Sequence, residues 1–260
     1  MARLNGFTKK QIIEVYQKMA LSRRLDDKML ILLKQGKSFF HIGASGHEAA
    51  QLAAAEVIKP GEDWSFPYYR DGADPNSGGR QMPQHYGHKD LRIVSQSSPT
   101  GTQFLQAVGC AMVCKMGKTK EVVYVSAGEG TTSQGDFHEA LNWASNAKAP
   151  VIFHIQDTEY AISTHRSEQT ASSIYDMTSG YGNLSRYDVD GTDFFETSLA
   201  FKEAVQRARR NKGPSIIVSH VVRLLPHSSS DDQRKYSDEK SLNNDLKKDP
   251  LLILESKCID

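Results

Sequence analysis

The 260-residue chain has three cysteines, a formal net charge of +1, and no apolar run long enough to cross a membrane. With no excess charge of either sign, the composition favours neither nucleic acid nor a membrane surface, and we expect neither as a partner. No Cys-x-x-Cys pair is present, so Cys110 and Cys114, which share one face of a predicted helix, are interpreted as buried thiols. The N-terminal residues lack a signal-peptide pattern, which leads us to expect a cytoplasmic protein.

Two common nucleotide-binding motifs are also missing. The sequence contains neither a Gly-x-Gly-x-x-Gly fingerprint nor a Walker loop. A plain nucleotide-binding α/β domain therefore has no support in the motifs, and any ligand site must be built from other residues.

Apolar β-branched runs alternate with stretches of helical character along the chain. Strands are predicted over 121–127, 150–156, 186–189 and 214–222, and helices over 8–34, 48–58, 103–115, 133–147 and 196–210. Thr8 and Gln11 have the spacing of a capping box, and Asp193 is a candidate N-cap. Such alternation predicts an α/β fold, a doubly wound parallel sheet with helices on both faces.

The composition also suggests how the chain is divided. We expect an N-terminal helical arm over 1–45, the α/β domain over 46–226, and a mobile loop with a truncated C-terminal tail over 227–260. Residues 63–88 are rich in Gly, Pro, Tyr and polar side chains and are predicted to form an ordered loop. The segment 227–248 is polar and is expected to be mobile.

Polar motifs follow two neighbouring strands of the predicted sheet. Gly128, Glu129 and Gly130 come after the first strand, and Thr158 and Tyr160 come after the second. Because ligands bind at the carboxyl ends of parallel strands, both motifs are expected to lie at the ligand edge. Oxygen ligands beside tight glycines suit a hard divalent cation and a diphosphate. The alternative interpretation of Glu129 is a solvated loop carboxylate.

The two motifs resemble the diphosphate and magnesium motif of thiamine diphosphate enzymes, which is Gly-Asp-Gly followed by a ligating Asn and a carbonyl ligand. The wider sequence resembles one family, the α subunit of the decarboxylating first component of 2-oxoacid dehydrogenase complexes. The matching stretches follow family order between about residues 21 and 236, and they are 67–71, 79–83, 97–100, 135–142, 160–163 and 226–232.

The resemblance implies Mg²⁺ ligands and a set of thiamine diphosphate contacts. Glu129, Thr158 and the Tyr160 carbonyl would hold the metal, although Thr158 departs from the Asn of the family. A Thr hydroxyl is shorter than an amide, so weakened or lost magnesium binding is the alternative. The implied cofactor contacts are Tyr69, Arg70, Ser98, Thr100, Gly128, Glu129, Gly130, Thr131, Thr158, Tyr160, Ile162 and His227.

Several of these positions have a structural interpretation as well. The Arg70 fork suits phosphate but could instead pack on an aromatic ring. Ser98 before Pro99 could be only a helix N-cap. His227 matches a family histidine that contacts phosphate and shuttles protons, and we give it a catalytic role; a loop histidine is otherwise a surface residue. The remaining candidates lack paired ligand spacing and are interpreted as structural, namely His47, His138 and His154.

The resemblance implies an enzyme that is incomplete by itself. Family members form an α2β2 assembly in which β supplies the glutamate that activates the aminopyrimidine, decarboxylate a 2-oxoacid, and pass the acyl group to lipoyl-lysine of the second component. Glu129 and the run 228–232 favour a branched-chain substrate of the 2-oxoisovalerate type, with pyruvate as the alternative.

A non-catalytic, degenerate α-like partner is the other alternative. Thr158, the short tail and the short segment after Asp71 motivate it, because the family carries a further helix and loop at that segment. The chain is therefore either a trimmed form of the subunit or one with a compromised cofactor site.

Overall fold

The structure is a computed structural model that describes residues 3–73, 75–77, 85–96 and 98–259. Two predicted family stretches fall partly or wholly outside the described residues, namely 79–83 and Ser97 of 97–100. The strands are β1 (Arg3–Leu4), β2 (Phe7–Thr8), β3 (Trp64–Phe66), β4 (Val123–Gly128), β5 (Val151–Asp157), β6 (Tyr160–Ala161), β7 (Thr164–His165), β8 (Ser185–Asp190) and β9 (Ser215–His220).

The central sheet has five strands in the order β3-β4-β5-β9-β8, and every pairing in it is parallel. The predicted parallel sheet is thereby confirmed. Gly128 pairs with Gln156 at the ends of β4 and β5, so the segments that follow both strands emerge side by side. The polar motifs at 128–131 and 158–162 therefore share one edge of the sheet.

Helices cover both faces of the sheet, as the alternation predicts. They are α1 (Lys9–Lys34), α2 (Glu48–Ala55), α3 (Thr102–Met116), α4 (Gly135–Ala147), α5 (Arg166–Gln169), α6 (Ile174–Met177), α7 (Phe194–Arg209), α8 (Glu239–Lys247) and α9 (Pro250–Ile259). One buried cluster joins α1, α2, α7 and α9 to the sheet, and a second joins α3 and α4 to the opposite face. Because α1 buries Val15 and Met19 in the first cluster, the N-terminal arm shares the core of the α/β domain.

The predicted helix starts are close to those of the structure, because side-chain caps mark them. Thr8 and Gln11 form the capping box of α1, and Asp193 accepts hydrogen bonds at the start of α7. α2 ends at Ala55, before the predicted end at residue 58, since Lys59 precedes Pro60 and the chain must leave the helix. Cys114 is buried on α3, as predicted, whereas Cys110 is only partly buried, and both are free.

Several short elements, and the helices α8 and α9 of the C-terminal tail, were not predicted from the sequence. The predicted loop 63–88 contains β3, which forms one edge of the sheet. The polar stretch after β5 contains the β6–β7 hairpin, α5 and α6, and the polar tail contains α8 behind its N-cap Asp238. Two to four residues are too few to show a hydrophobic period, so β3, β6, β7, α5 and α6 leave no pattern in the sequence. The nine-residue α8 was missed because its segment is mostly polar.

Among the described residues, no helix combines the length and the apolar character that crossing a membrane would need.

Candidate functional site

A cavity of about 220 Å³ opens at the carboxyl ends of β4 and β5. Every predicted cofactor contact lines it except Ser98, which is exposed and lies outside the lining. The predicted residues in its wall are Tyr69, Arg70, Thr100, Gly128, Glu129, Gly130, Thr131, Thr158, Tyr160, Ile162 and His227. The wall also contains residues that the sequence analysis did not select, and these are His47, Tyr68, Gln156, Ala161 and Arg223.

Three oxygens converge at one corner of this cavity. The Glu129 carboxylate accepts a hydrogen bond of 3.0 Å from the Thr158 backbone N–H. The Thr158 hydroxyl oxygen lies 3.4 Å from Glu129 Oε2 and 3.3 Å from the Tyr160 carbonyl oxygen. The spacing of the motifs predicted this convergence, because adjacent parallel strands end side by side. The result is a carboxylate, a hydroxyl and a carbonyl in one place, which are the oxygen types that Mg²⁺ accepts.

Among the described residues, no Lys, Arg or His forms an ion pair with Glu129, and the charge of Arg70 is only a minor influence on its carboxylate. The residue is buried, with 4% of its surface exposed. Burial raises the pKa of Glu129 to about 7. The hydrogen bond from the Thr158 N–H lowers this pKa, whereas the charge of nearby Asp157 raises it further. A divalent cation at this corner would favour the ionised carboxylate and offset the cost of burying it. The electrostatics of the corner therefore fit a metal ion.

Of the two glycines of the first motif, packing requires glycine only at position 130. A Cβ atom at Gly130 would lie 2.7 Å from Ala161 Cβ, which is closer than side chains pack, so the β6 segment requires glycine there. At Gly128 an added Cβ would meet Tyr68 at 3.7 Å, an ordinary contact. Gly130 thus allows the segment after β5 to close onto the segment after β4.

Arg70 and His227 contact each other in another part of the cavity wall. Arg70 donates to the Gly43 carbonyl over 2.5 Å and to the His227 carbonyl over 3.0 Å, and its Nη2 lies 3.2 Å from His227 Nδ1. The edge of the His227 ring faces Tyr69, with centroids 6.4 Å apart. Burial, followed by the charges of Arg70 and Arg223, lowers the pKa of His227 to about 4. The imidazole is therefore neutral at physiological pH. Because Arg70 can only donate, Nδ1 accepts from it and the ring proton is on Nε2, which could donate to a ligand.

Arg223 is a second guanidinium of the cavity that the sequence analysis missed. It donates to the Ile162 carbonyl over 3.0 Å and to the Tyr236 hydroxyl over 2.8 Å, and it reaches the Tyr160 carbonyl at 3.5 Å. With Arg70 it gives the cavity two buried positive charges, which favour an anionic ligand. Nothing local marks Arg223 in the sequence except its place just beyond the end of β9.

The loop that carries Thr158 and Tyr160 has an unusual backbone. Glu159 and Ile162 have φ angles of +65° and +58°, and a β-branched residue rarely adopts the left-handed region. The bond from Arg223 to the Ile162 carbonyl and the ion pair between Arg166 and the buried Asp157 hold the loop in this conformation. Strain of this kind often accompanies binding sites.

Two buried polar atoms of the cavity wall have no hydrogen-bond partner within the described part of the chain, the His47 Nε2 and the Tyr68 hydroxyl. Burial raises the pKa of Tyr68 well above its usual value, so its hydroxyl keeps its proton. The other two histidines that were interpreted as structural do have partners, His154 with Tyr124 and Ser219, and His138 with Tyr181. Unsatisfied polar atoms are costly to bury, and a polar ligand would supply their partners.

The cavity is therefore lined by a metal-compatible oxygen corner, two guanidinium groups and two unpartnered polar atoms. These residues fit a diphosphate carried with a divalent cation. The fold and the site together define an α/β protein with a polar cavity at the carboxyl edge of a parallel sheet.

Comparison with known proteins shows to which family this α/β protein belongs. The sequence profile of the dehydrogenase E1 component family matches residues 71–260. The 2-oxoisovalerate dehydrogenase subunit alpha of Bacillus subtilis (strain 168) is 41% identical over 273 residues, which cover 96% of this chain and 82% of that protein. The chain belongs to the dehydrogenase E1 component family, an oxidoreductase family, and the family resemblance found in the sequence is confirmed.

Other relatives carry different names. The 3-methyl-2-oxobutanoate dehydrogenase subunit alpha of Mycobacterium tuberculosis (strain ATCC 25618 / H37Rv) is 34% identical, across 91% of this chain and 67% of that protein. The pyruvate dehydrogenase E1 component subunit alpha of Staphylococcus aureus (strain Mu50 / ATCC 700699) is also 34% identical, across 96% of this chain and 72% of that protein. Among solved structures, a putative thiamin diphosphate-dependent enzyme from Mycobacterium smegmatis aligns with a TM-score of 0.49 and 15% identity, covering 68% of this chain and 31% of that one.

Proposed function

We propose that this chain is the α subunit of a thiamine diphosphate-dependent 2-oxoacid dehydrogenase first component, and that its preferred substrate is a branched-chain 2-oxoacid of the 2-oxoisovalerate type. Together with a β subunit, in an α2β2 assembly, it would carry out oxidative decarboxylation and transfer the acyl group to lipoyl-lysine of the second component. The cytoplasmic location expected from the sequence is part of this proposal.

The convergence of Glu129, Thr158 and the Tyr160 carbonyl is the observation that carries the proposal. These oxygens come from two separate strand ends and lie within 3.4 Å of one another through the Thr158 hydroxyl. In our proposal they would hold Mg²⁺, which would neutralise negative charge on the diphosphate. Arg70 also lines the cavity and would donate to the phosphate oxygens, since a guanidinium can form paired hydrogen bonds to phosphate.

The chain's own residues have binding and positioning roles in this proposal. When bound, thiamine diphosphate supplies the carbanion chemistry that a 2-oxoacid decarboxylation needs. His227 is neutral and next to Arg70, so it can donate to a phosphate oxygen and move a proton at Nε2. Thr100 lines the cavity and the exposed Ser98 lies two residues before it, and in this proposal the ring half of the cofactor would lie near this segment and against the β subunit. The described residues offer no glutamate at that end of the cavity, which is why we assign the activating glutamate to β.

The branched-chain preference rests on the sequence and on the relatives. Glu129 and the run 228–232 favour it, and two of the relatives above carry the names 2-oxoisovalerate and 3-methyl-2-oxobutanoate dehydrogenase subunit alpha. A pyruvate substrate is the alternative, in line with the name of the Staphylococcus aureus relative.

Reconstitution tests the proposal. The full chain is co-purified with its β subunit, and carbon dioxide release from 2-oxoisovalerate and from pyruvate is measured with and without thiamine diphosphate and Mg²⁺. We expect no turnover by the chain alone and cofactor-dependent turnover by the pair, with a higher kcat/KM for 2-oxoisovalerate. Turnover by the chain alone would contradict the proposal that the active site needs both subunits. A higher kcat/KM for pyruvate would show that pyruvate, and not 2-oxoisovalerate, is the preferred substrate.

A non-catalytic α-like partner is the second candidate. The contact between Arg223 and the Tyr160 carbonyl favours it, because a guanidinium at 3.5 Å places positive charge where the metal's carbonyl ligand is required. Thr158, in place of the Asn of the family, favours it as well. If the assembled pair neither binds thiamine diphosphate nor releases carbon dioxide, this second candidate replaces the first.

A further inference from the structure

His47 lies immediately before α2 and forms part of the cavity wall. It has 1% of its surface exposed, and its Nδ1 lies 2.8 Å from the Gln156 side-chain oxygen. Its other ring nitrogen, Nε2, is fully buried and has no hydrogen-bond partner within the described residues. A buried nitrogen without a partner in the wall of a ligand cavity is the starting point for our inference.

The neighbouring hydrogen bonds fix which nitrogen of His47 carries the proton. Gln156 donates its amide nitrogen to the Asp71 carboxylate over 2.7 Å, so its carbonyl oxygen must face His47. Gln51 donates to that same oxygen over 3.1 Å, which supports this orientation of the amide. Because an amide oxygen only accepts, His47 Nδ1 must be the donor. In the neutral ring, Nε2 is therefore left with a bare lone pair.

The charges around His47 keep it neutral while the cavity lacks an anion. Burial, followed by the positive charge of Arg70, holds the pKa of His47 well below its usual value, and Arg223 and His154 act in the same direction. The adjacent Glu48 does not offset them, since its carboxylate accepts from the Gly46 N–H and from Arg23.

A phosphate oxygen also offers only lone pairs, so it cannot approach a bare Nε2 favourably. Contact becomes favourable when one proton lies between the nitrogen and the oxygen. That proton comes from an acid in the solvent, whose bond to the proton breaks as the Nε2–H bond forms, so one proton is taken up from solution.

We propose that His47 is a phosphate-binding residue of the cavity, and that it becomes an imidazolium whose Nε2–H donates to the phosphate when a diphosphate binds. The proposal rests on the proposed function only for the identity of the natural ligand. The Gln156–Asp71 pair then acts as the positioning element, because it orients the ring and accepts the second N–H. The anion that arrives offsets the charges of Arg70 and Arg223, which is what permits His47 to gain its proton.

Two substitutions separate the effect of the hydrogen bond to phosphate from the effect of proton uptake by the ring. His47→Gln places an amide nitrogen near the position of Nε2, where it can donate to phosphate without gaining a proton. His47→Asn places an amide nitrogen near Nδ1, which preserves the bond to Gln156 and leaves nothing at Nε2. Thermal unfolding of each ligand-free variant establishes that it folds, and the two variants control for each other.

The test is calorimetric titration of the full chain with magnesium and inorganic diphosphate at pH 7.5, in two buffers that differ in ionisation enthalpy. The difference between the buffers counts the protons taken up. Other charged or titratable groups also face the ligand, namely Glu129, His227, Arg70 and Arg223. Proton uptake is therefore compared between the wild-type chain and each variant at the same pH. We expect the wild-type chain to take up roughly one proton more per ligand than His47→Gln. We expect His47→Asn to bind roughly tenfold to a hundredfold more weakly, the usual loss for a hydrogen bond to a charged group.

Equal proton uptake by the wild-type chain and His47→Gln, or equal affinity of the wild-type chain and His47→Asn, would overturn the proposal. Thiamine without phosphates is the matched ligand control, and the variants should not differ in their response to it. A parallel titration with thiamine diphosphate, with the β subunit present, separates this inference from the proposed function. If inorganic diphosphate binds with the extra proton while thiamine diphosphate does not bind, the inference stands and the proposed function fails.

Discussion

The backbone N–H of Thr158 donates to the Glu129 carboxylate over 3.0 Å, and this bond joins the segments that follow β4 and β5. It holds the buried carboxylate beside the Thr158 hydroxyl, which also contacts the Tyr160 carbonyl. The bond uses the backbone of residue 158 and not its side chain, so it survives any substitution except proline at that position. The side chain of Thr158 can therefore be changed without disturbing the position of Glu129.

We predict that Thr158→Asn tightens the binding of thiamine diphosphate and Mg²⁺, measured by calorimetry with the β subunit present. An amide carbonyl reaches further than a hydroxyl and is a stronger ligand, so a gain of roughly threefold to tenfold is expected, equivalent to about 1 kcal/mol. Thr158→Val has nearly the same shape and no hydroxyl, and it should bind more weakly than wild type. The opposite order of the two variants would show that residue 158 does not contact the metal.

Glu129 should make the stability of the ligand-free chain depend on pH. Its pKa is about 7 when folded, against an ordinary value of 4.5, so the folded state binds more protons within this window. The free energy of unfolding therefore decreases as the pH rises from about 5 to about 7, and the decrease persists above pH 7. Glu129→Gln removes the carboxylate, so it should match wild type at pH 5 and be more stable by about 1–3 kcal/mol at pH 8.

Thermal and urea unfolding at the two pH values measure this effect. Asp136→Asn, at the start of α4, is a suitable control for loss of one negative charge. If Glu129→Gln is less stable than wild type at pH 8, then the carboxylate is compensated within the chain and the electrostatic argument for a cation fails.

Tyr68→Phe should stabilise the ligand-free chain and weaken ligand binding. The Tyr68 hydroxyl is buried without a partner within the described residues, so removing it relieves a penalty of about 1 kcal/mol or more. The same hydroxyl can donate to a phosphate oxygen, and its loss should lower the affinity for magnesium diphosphate. Tyr187→Phe, on β8 away from the cavity, is the control. A Tyr68→Phe chain with a lower melting temperature would indicate that the hydroxyl already has a partner.

A substitution at Ile162 should likewise stabilise the ligand-free chain and weaken ligand binding. Its φ of +58° is unfavourable for a β-branched side chain, whereas Asn tolerates this region. Ile162→Asn should raise the free energy of unfolding by about 1 kcal/mol and reduce the affinity for thiamine diphosphate, because the Ile162 side chain lines the cavity. Ile162→Val retains the branched Cβ and should show no gain in stability. Denaturant unfolding and calorimetry measure the two effects.

The sequence was informative where short-range chemistry determines the structure. β-branched runs predicted β4, β5 and β9, and side-chain caps predicted the starts of α1 and α7. Because β4 and β5 are consecutive and parallel, the positions of Glu129 and Thr158 followed from the spacing of their motifs alone. The proximity of the strand-end motifs could therefore be predicted without any structure, although their metal-binding role stays a proposal.

The rest of the site depends on contacts between distant segments. Arg223 reaches the Ile162 carbonyl across 61 positions of the sequence, and His47 reaches Gln156 across 109. No local period or motif marks such residues, and a single histidine at the start of a helix is usually structural. The edge strand β3 and the helix α8 escaped prediction for a different reason, since β3 has only three residues and α8 has only two apolar side chains, Leu242 and Leu246, in a polar segment.

The central claim is that Glu129, Thr158 and the Tyr160 carbonyl form the metal corner of a diphosphate half-site. Its most direct test is a crystal structure of the chain with its β subunit, thiamine diphosphate and Mn²⁺, in which anomalous scattering locates the metal. We predict an anomalous peak at about 2.0–2.3 Å from oxygens of all three residues, with the diphosphate between the metal and Arg70. A bound cofactor whose metal lies away from Glu129, or a cavity from which metal and cofactor are both absent at saturating concentration, would contradict the account.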